Sequence, residues 1–291
     1  MTGTGKAAVG DVHGEGSVAS VPELLALAQQ VAADAGRLLR ARLPEVAGGR
    51  LLSDGASAKS SPTDLVTDVD RSSESLIVGS LLSARPDDGI QGEEGSSRAG
   101  TSGVSWVIDP LDGTINYLYG IAIFAVSIAA RVGGRSVVGV VHDPLTGEMF
   151  SAAEKRGASL DGRELRLEAT GRPLGEALVG TGFSYGAPSR AAQADLLTVV
   201  LPEVRDIRRT GSAALDLCSV ACGRLDAYYE SELKPWDLAA GELIVREAGG
   251  TVVVLEGLGE AQSTVVATAP GLEAPLLDLL RRASSGRGRP R

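Results

Sequence analysis

Histidine and cysteine are nearly absent, with two of each in 291 residues. His13 and His142 are too few, and both too early in the chain, for several common chemistries. A zinc hydrolase or a histidine-based acid–base centre would need more of them. Gly182-Phe183-Ser184-Tyr185-Gly186 matches the nucleophile elbow of α/β hydrolases. That fold places its histidine after the serine, where this chain has none, so Ser184 is expected to be a loop residue. Cys218 and Cys222 make no disulfide framework; at i,i+4 spacing they read as packed thiols of a reducing compartment. Basic residues are also short, 28 against 37 acidic ones, and the net charge of −9 argues against a nucleic-acid or anionic-membrane binder. No apolar run reaches spanning length without a charge, and the N-terminus has no signal-peptide core, so the cytoplasm is the expected compartment. Gly3-Thr4-Gly5-Lys6 lacks both the spacing of a P-loop and a preceding strand.

What is present is an ordinary globular composition, 43% hydrophobic and rich in Ala, Val and Leu, long enough for two sub-domains. Residues 1–19 are small and Gly-rich and are expected to form a disordered lead; residues 284–291 read as a free basic tail. Ser20 with Glu23 forms a capping box opening a helix through Leu43. A second helix is expected over Val69–Ser83, with Leu76, Ile77, Leu81 and Leu82 on its buried side. From 104 to 168 the pattern is β, with strands at 104–109, 121–132, 136–142, 148–153 and 163–168. After Pro173 strands and helices alternate: strands 177–181, 205–209, 225–230, 251–255 and 264–268, and helices 188–201, 211–222, 236–248 and 271–283. The fold class is therefore α/β, an α+β half (20–173) followed by an α/β half (174–283).

The chemistry-bearing residues are carboxylates at turns and element ends. In Trp106-Val-Ile-Asp109-Pro110-Leu111-Asp112-Gly113-Thr114-Ile-Asn116-Tyr117, an apolar strand ends on Asp109, Pro110 is expected to block its continuation, and Gly113 permits a sharp turn into a short helix. Glu93 and Glu94 lie between glycines, and Asp70 and Asp237 lie at helix starts. Taken singly, each has an ordinary explanation as a helix-capping acid, a solvated loop pair or a turn. Taken together, converging carboxylates need cations among them, and an all-oxygen donor set favours a hard ion such as Mg²⁺. Mg²⁺ with few protein ligands fills its shell with water and substrate phosphate, which points to phosphoester hydrolysis.

Four motifs resemble the inositol monophosphatase family, over roughly residues 20–280. They are Lys59-Ser-Ser-Pro-Thr-Asp-Leu-Val-Thr-Asp-Val-Asp70, Gly92-Glu93-Glu94, Trp106 through Asn116, and Trp236-Asp237-Leu-Ala-Ala-Gly241 with Glu247-Ala-Gly-Gly250. The resemblance implies a layered αβαβα sandwich, two to three Mg²⁺ ions, a homodimer and inhibition by lithium. It implies one ion on Glu93, Asp109 and the Leu111 carbonyl, and a second on Asp109, Asp112 and Asp237. Thr114, bonded toward Asp70, would activate the attacking water, while the N–H groups of Gly113 and Thr114 receive the phosphate. Glu94 and Lys59 would support the ligands from behind. Gly211, Ser212 and Ala213 would line the substrate ring and Glu230 would accept its hydroxyls. Lys234, beside the site, leaves fructose-1,6-bisphosphate open, and histidinol phosphate and 3′-phosphoadenosine 5′-phosphate are alternative substrates. A non-catalytic regulatory protein of the same fold is the competing class.

Overall fold

The computed structural model describes residues 20–46, 56–58, 65–169, 171–256 and 263–285. The expected lead 1–19, the tail beyond Ser285, and Lys59 with the rest of 59–64 lie outside the described residues.

Helix α1 (Val21–Val46) buries Leu24, Ala28, Val31, Ala32, Ala35 and Leu39, an i,i+3/i+4 stripe on one face. Its start carries the expected acid cap, with Ser20 N–H donating to Glu23 Oε2 at 3.0 Å. The small hairpin of β1 (Ala56–Ala58) and β2 (Leu65–Thr67) leads into α2 (Asp68–Ala84). There follow β3 (Gly89–Gly92), β4 (Ser97–Arg98), β5 (Val104–Asp112), the short α3 (Thr114–Leu118), β6 (Ala125–Val132), β7 (Arg135–His142), β8 (Met149–Ala153), β9 (Ala158–Leu160) and β10 (Arg163–Leu165). These strands form one sheet in the order β10-β9-β8-β7-β6-β5-β3-β4, antiparallel except for β3 beside β5.

The second half supplies β11 (Leu178–Thr181), α4 (Ala187–Val200), β12 (Asp206–Arg208), α5 (Ala213–Ala221), β13 (Ala227–Ser231), α6 (Pro235–Glu247), β14 (Thr251–Glu256), β15 (Ser263–Thr268) and α7 (Glu273–Ser284). Its sheet runs β12-β11-β13-β15-β14, with β11 parallel to both neighbours and β15 antiparallel to both of its own.

Five layers result. Helices α1 and α2 cover one face of the large sheet, α5 and α6 fill the space between the sheets, and α4 and α7 pack outside the small sheet. Along β5 the side chains alternate between two of these cores: Trp106 and Ile108 face α1 and α2, while Val107 faces α5 and α6. A strand covered on both sides must be apolar at every position, which is why Val104–Ile108 reads as an unbroken run. Helix α6 lies so close to β7 that a Cβ on Gly139 would fall 2.7 Å from the Ala240 carbonyl oxygen.

Two expectations beside the site need correction, and the strand expected at 163–168 ends at Leu165. β5 does not stop at Asp109; it runs through Pro110 to Asp112 because the pairing with β6 shifts register between Asp109 and Asp112. At such a bulge a proline can sit in a strand without costing a ladder hydrogen bond. The first strand after this turn begins at Ala125, not at residue 121, because Asn116 holds the intervening chain as a loop through its contact with the Ile123 carbonyl.

Candidate active site

The bulge is what aims the acids. It releases Asp109, Leu111 and Asp112 from strict alternation at the end of β5, and all three border one cleft of about 350 Å³. Gly113 then adopts φ +94°, and a Cβ there would lie 3.0 Å from the Ile123 carbonyl oxygen, so only glycine makes this turn without strain. The turn hands the chain to α3, which is pinned from below. Tyr117 is fully buried, donates its hydroxyl to the Leu39 carbonyl at 2.8 Å and meets the Phe124 ring edge-on at 4.9 Å. Such an aromatic pair adds about 0.5–1.5 kcal/mol beyond the area it buries.

At the head of α3, Thr114 Oγ1 donates to Asp70 Oδ1 at 2.8 Å and lies 3.1 Å from the Leu111 carbonyl oxygen. Asp70 comes from the first turn of α2, where its other oxygen, Oδ2, accepts from the Thr67 N–H at 2.9 Å and from the Thr67 hydroxyl. The helix-capping role and the contact to Thr114 thus coexist, one on each oxygen. Asp112 Oδ2 accepts from Ser212 Oγ at 2.5 Å and from the Ala214 N–H at 2.8 Å, at the start of α5. Asp237 occupies the first turn of α6, its Oδ2 accepting from the Lys234 N–H at 2.7 Å. Glu93 stands on the turn after β3, and its carboxyl is in hydrogen-bonding contact with Asp109.

Glu93, Asp109, Asp112 and Asp237 all line the cleft. Asp109, 1% exposed, has its carboxyl pushed well above the usual range, first by burial and then by repulsion from Glu93, Asp112 and Asp237. Burial likewise raises Asp237, and lifts Asp112 to about 6 against the pull of its hydrogen bonds to Ser212 and Ala214. Among the described residues no three His, Cys, Asp or Glu side chains already enclose one point as an ion cage. The carboxylates share a cleft, with Asp112 and Asp237 each turned partly toward a backbone or hydroxyl donor. A buried acid facing three others is nevertheless a group whose ionisation demands a cation, and every donor available is oxygen.

The far wall holds Gly211, Ala213 and Glu230. Glu230 accepts from the buried Tyr228 hydroxyl, and its carboxylate lies directly over Gly182, where a Cβ would fall 1.9–2.1 Å from its atoms. Burial raises Glu230 to about 7, opposed by the Tyr228 hydrogen bond and reinforced by Asp112. Ser212 is placed otherwise than its neighbours: its side chain is buried, turned to Asp112, and does not border the cleft. Ser184 sits in the loop after β11, held by Gln193 on both its N–H and its hydroxyl. The two halves meet at Asn116, whose amide donates to the Ile123 and Thr210 carbonyls, both at 2.8 Å.

Comparison with known proteins agrees with this architecture. The family model described as "Inositol monophosphatase family" matches residues 20–284. The chain belongs to the inositol monophosphatase family. It is 48% identical over 271 residues to the Mycobacterium tuberculosis protein named inositol-1-monophosphatase SuhB, covering 89% of this chain and 93% of that one. It is 47% identical over 199 residues to the Escherichia coli Nus factor SuhB, covering 68% and 74% of the two chains. Among solved structures, the extragenic suppressor protein suhB from Bartonella henselae superimposes with a TM-score of 0.81 at 37% identity, over 89% of this chain and 99% of that one. No helix among the described residues is long and apolar enough to cross a membrane.

Three residues escaped the reading of the sequence. Arg209 borders the cleft beside Glu230, and Asp216 is buried behind that wall with its Oδ1 lacking a hydrogen-bond partner. Burial raises Asp216 to about 8. Glu74, in the middle of α2, is also buried. An arginine beside a helix start and an acid in the middle of a helix carry no turn or cap signal, and Asp216, in the first turn of α5, reads as an ordinary helix-start acid, so spacing alone singles out none of them.

Proposed function

We propose that the protein is a metal-dependent phosphomonoesterase whose substrate is inositol monophosphate. The observation that carries this reading is the 2.8 Å hydrogen bond from Thr114 Oγ1 to Asp70 Oδ1 beside four carboxylates of one cleft. A hydroxyl paired to a buried carboxylate is a route for taking a proton from water, and it stands next to the donor set that would receive Mg²⁺.

Glu93, Asp109 and the Leu111 carbonyl would hold one ion, Asp109, Asp112 and Asp237 a second, with a looser third near Glu93. Bound there, the ions supply a lowered water pKa and neutralise charge on the ester oxygen as it leaves. The remaining steps belong to the chain. The N–H groups of Gly113 and Thr114 receive phosphate oxygens. Thr114 Oγ1 accepts a proton from the attacking water while passing its own to Asp70 Oδ1. Water oxygen bonds to phosphorus and the phosphorus–ester bond breaks; a solvent proton goes to the leaving inositol oxygen and Asp70 returns its proton to solvent, giving free inositol and hydrogen phosphate. Ser212 and the Ala214 N–H hold Asp112 in its rotamer throughout.

Substrate choice falls to the far wall. Glu230 Oε2 is paired with the Tyr228 hydroxyl, its carboxylate accepts hydrogen bonds from ring hydroxyls, and a substrate lacking those hydroxyls forgoes these charge-assisted contacts. By resemblance to the family the protein is a cytoplasmic homodimer inhibited by lithium. Lys234 and Arg209 at the cleft keep a second phosphate, as in fructose-1,6-bisphosphate, as an alternative substrate feature.

One observation favours a second reading. The E. coli relative carries the name Nus factor, so a regulatory role resting on protein contacts is the competing assignment. Phosphate release from inositol, sugar, histidinol and nucleotide phosphates, with and without Mg²⁺, separates the two. Turnover led by inositol monophosphate supports the enzyme; no release from any of them would leave only the regulatory role.

A further inference from the structure

Helix α2 faces the site with more than Asp70. Asp70, Ser73 and Glu74 fall on one side of the helix, at i, i+3 and i+4, and all three are buried. Each reaches a different segment. Asp70 takes the Thr114 hydroxyl, Ser73 Oγ donates to the Pro110 carbonyl at 2.9 Å, and Glu74 reaches the turn that carries Glu93.

The Glu74 contact is specific. Its Oε2 accepts the Glu94 N–H at 2.8 Å and its Oε1 accepts the Ser96 N–H at 2.9 Å. The carboxylate is seated against Gly92, where a Cβ would fall 2.3 Å from Oε2. The same turn is closed by Gly92 N–H to the Ser96 carbonyl at 2.7 Å, and tied to β5 by Glu93 N–H to the Ile108 carbonyl at 3.1 Å. Glu74 therefore takes up two backbone donors that the turn cannot satisfy internally, one from the residue immediately after Glu93. A charge-assisted bond to backbone N–H is among the stronger and better-directed contacts a side chain makes. A ligand on a turn between glycines would otherwise wander; this one is clamped from a rigid helix.

We propose that Glu74 is a positioning residue for Glu93, fixing the turn so that the Glu93 carboxylate is preset for a divalent cation shared with Asp109. This rests on the reading of the cleft as a metal site. Glu74 does not line the cleft and touches neither substrate nor metal in this role. Glu94, expected from its place in the motif to support the site with its side chain, contributes its N–H to this clamp.

The test is Mg²⁺ binding to the full chain, followed by isothermal titration without substrate. Four forms are compared: wild type, Glu74→Gln, Glu93→Gln and the double variant. Glu74→Gln keeps the shape but puts an amide donor opposite a backbone donor. It is expected to weaken the tightest Mg²⁺ binding by roughly 10- to 100-fold, the usual cost of removing a partner behind a metal ligand. In the Glu93→Gln background the same change is expected to cost nothing further. An unchanged isotherm for Glu74→Gln overturns the proposal, and so does an equal loss in both backgrounds, which would mark a general effect on folding. An unchanged isotherm for Glu93→Gln overturns the metal reading itself. Should Glu74→Gln not fold, Glu74→Asp, which keeps the charge but retracts it by one methylene, is expected to weaken binding in the same background-dependent way; unchanged binding there overturns the proposal.

Discussion

Thr114 and Asp70, 44 residues apart in the chain, are joined by a hydrogen bond of 2.8 Å between two buried side chains. One stands on a five-residue helix after a strand bulge, the other in the first turn of a long helix. Neither position can shift alone: Thr67 holds the second oxygen of Asp70, and Tyr117 anchors the short helix to α1. The pair is preorganised before any ligand arrives.

Replacing Thr114 by Val removes the hydroxyl while keeping shape. With Mg²⁺ and saturating inositol monophosphate, kcat is expected to fall by roughly 10²- to 10⁴-fold, the range of a lost general-base step. Mg²⁺ affinity measured by titration should stay near the wild-type value. A fall in metal affinity matching the fall in rate would show that Thr114 serves the metal site and not the water.

Glu230→Ala should separate substrates. Losing a hydrogen bond to a charged acceptor costs about 1.5–3 kcal/mol, or roughly 10- to 150-fold in kcat/KM for inositol monophosphate. Turnover of a simple aryl phosphate should be retained. Gly182→Ala gives an independent check, because its methyl group would occupy the space of the Glu230 carboxylate. It is expected to reproduce the same split between the two substrates; an equal loss on both would remove Glu230 from hydroxyl recognition.

The site also sets a pH dependence for the metal-free protein. Asp112, Glu230 and Asp216 are raised by burial to about 6, 7 and 8, and Asp109 and Asp237 are raised as well. Carboxylates raised in the folded state hold protons that the unfolded chain has already released. Their contribution to stability is complete below about pH 4 and is lost as pH rises through the folded values. In EDTA, the thermal midpoint should therefore be lower at pH 8.5 than at pH 5.5, and Mg²⁺ should restore most of the difference at pH 8.5. A midpoint that rises over this interval would contradict the arrangement of acids described.

Much of this was legible in the sequence, for identifiable reasons. Trp106–Tyr117 announced itself because an apolar run, two acids, a proline and a glycine fall within a dozen residues. The alternating elements after Pro173 were visible because each helix carries its own period. Local pattern is insufficient where several demands fall on one residue. Pro110 looked like a strand terminator because a bulge is a property of the pairing with β6, which no local pattern reveals. Ser212 reads as a substrate contact because it stands between Gly211 and Ala213, which border the cleft; only the fold shows its hydroxyl turned to Asp112. Glu74 was invisible because a helix read by its apolar period assigns the buried side to Leu76, Ile77, Leu81 and Leu82. Here the buried face also includes Asp70, Ser73 and Glu74, made tolerable by backbone and hydroxyl partners across the site.

The most direct test is hydrolysis of inositol monophosphate by the Mg²⁺-loaded protein in ¹⁸O-labelled water. Attack of water on phosphorus, with Thr114 and Asp70 taking its proton, puts one ¹⁸O into the released phosphate and none into inositol. Label found in inositol, or no phosphate released at all, would contradict it.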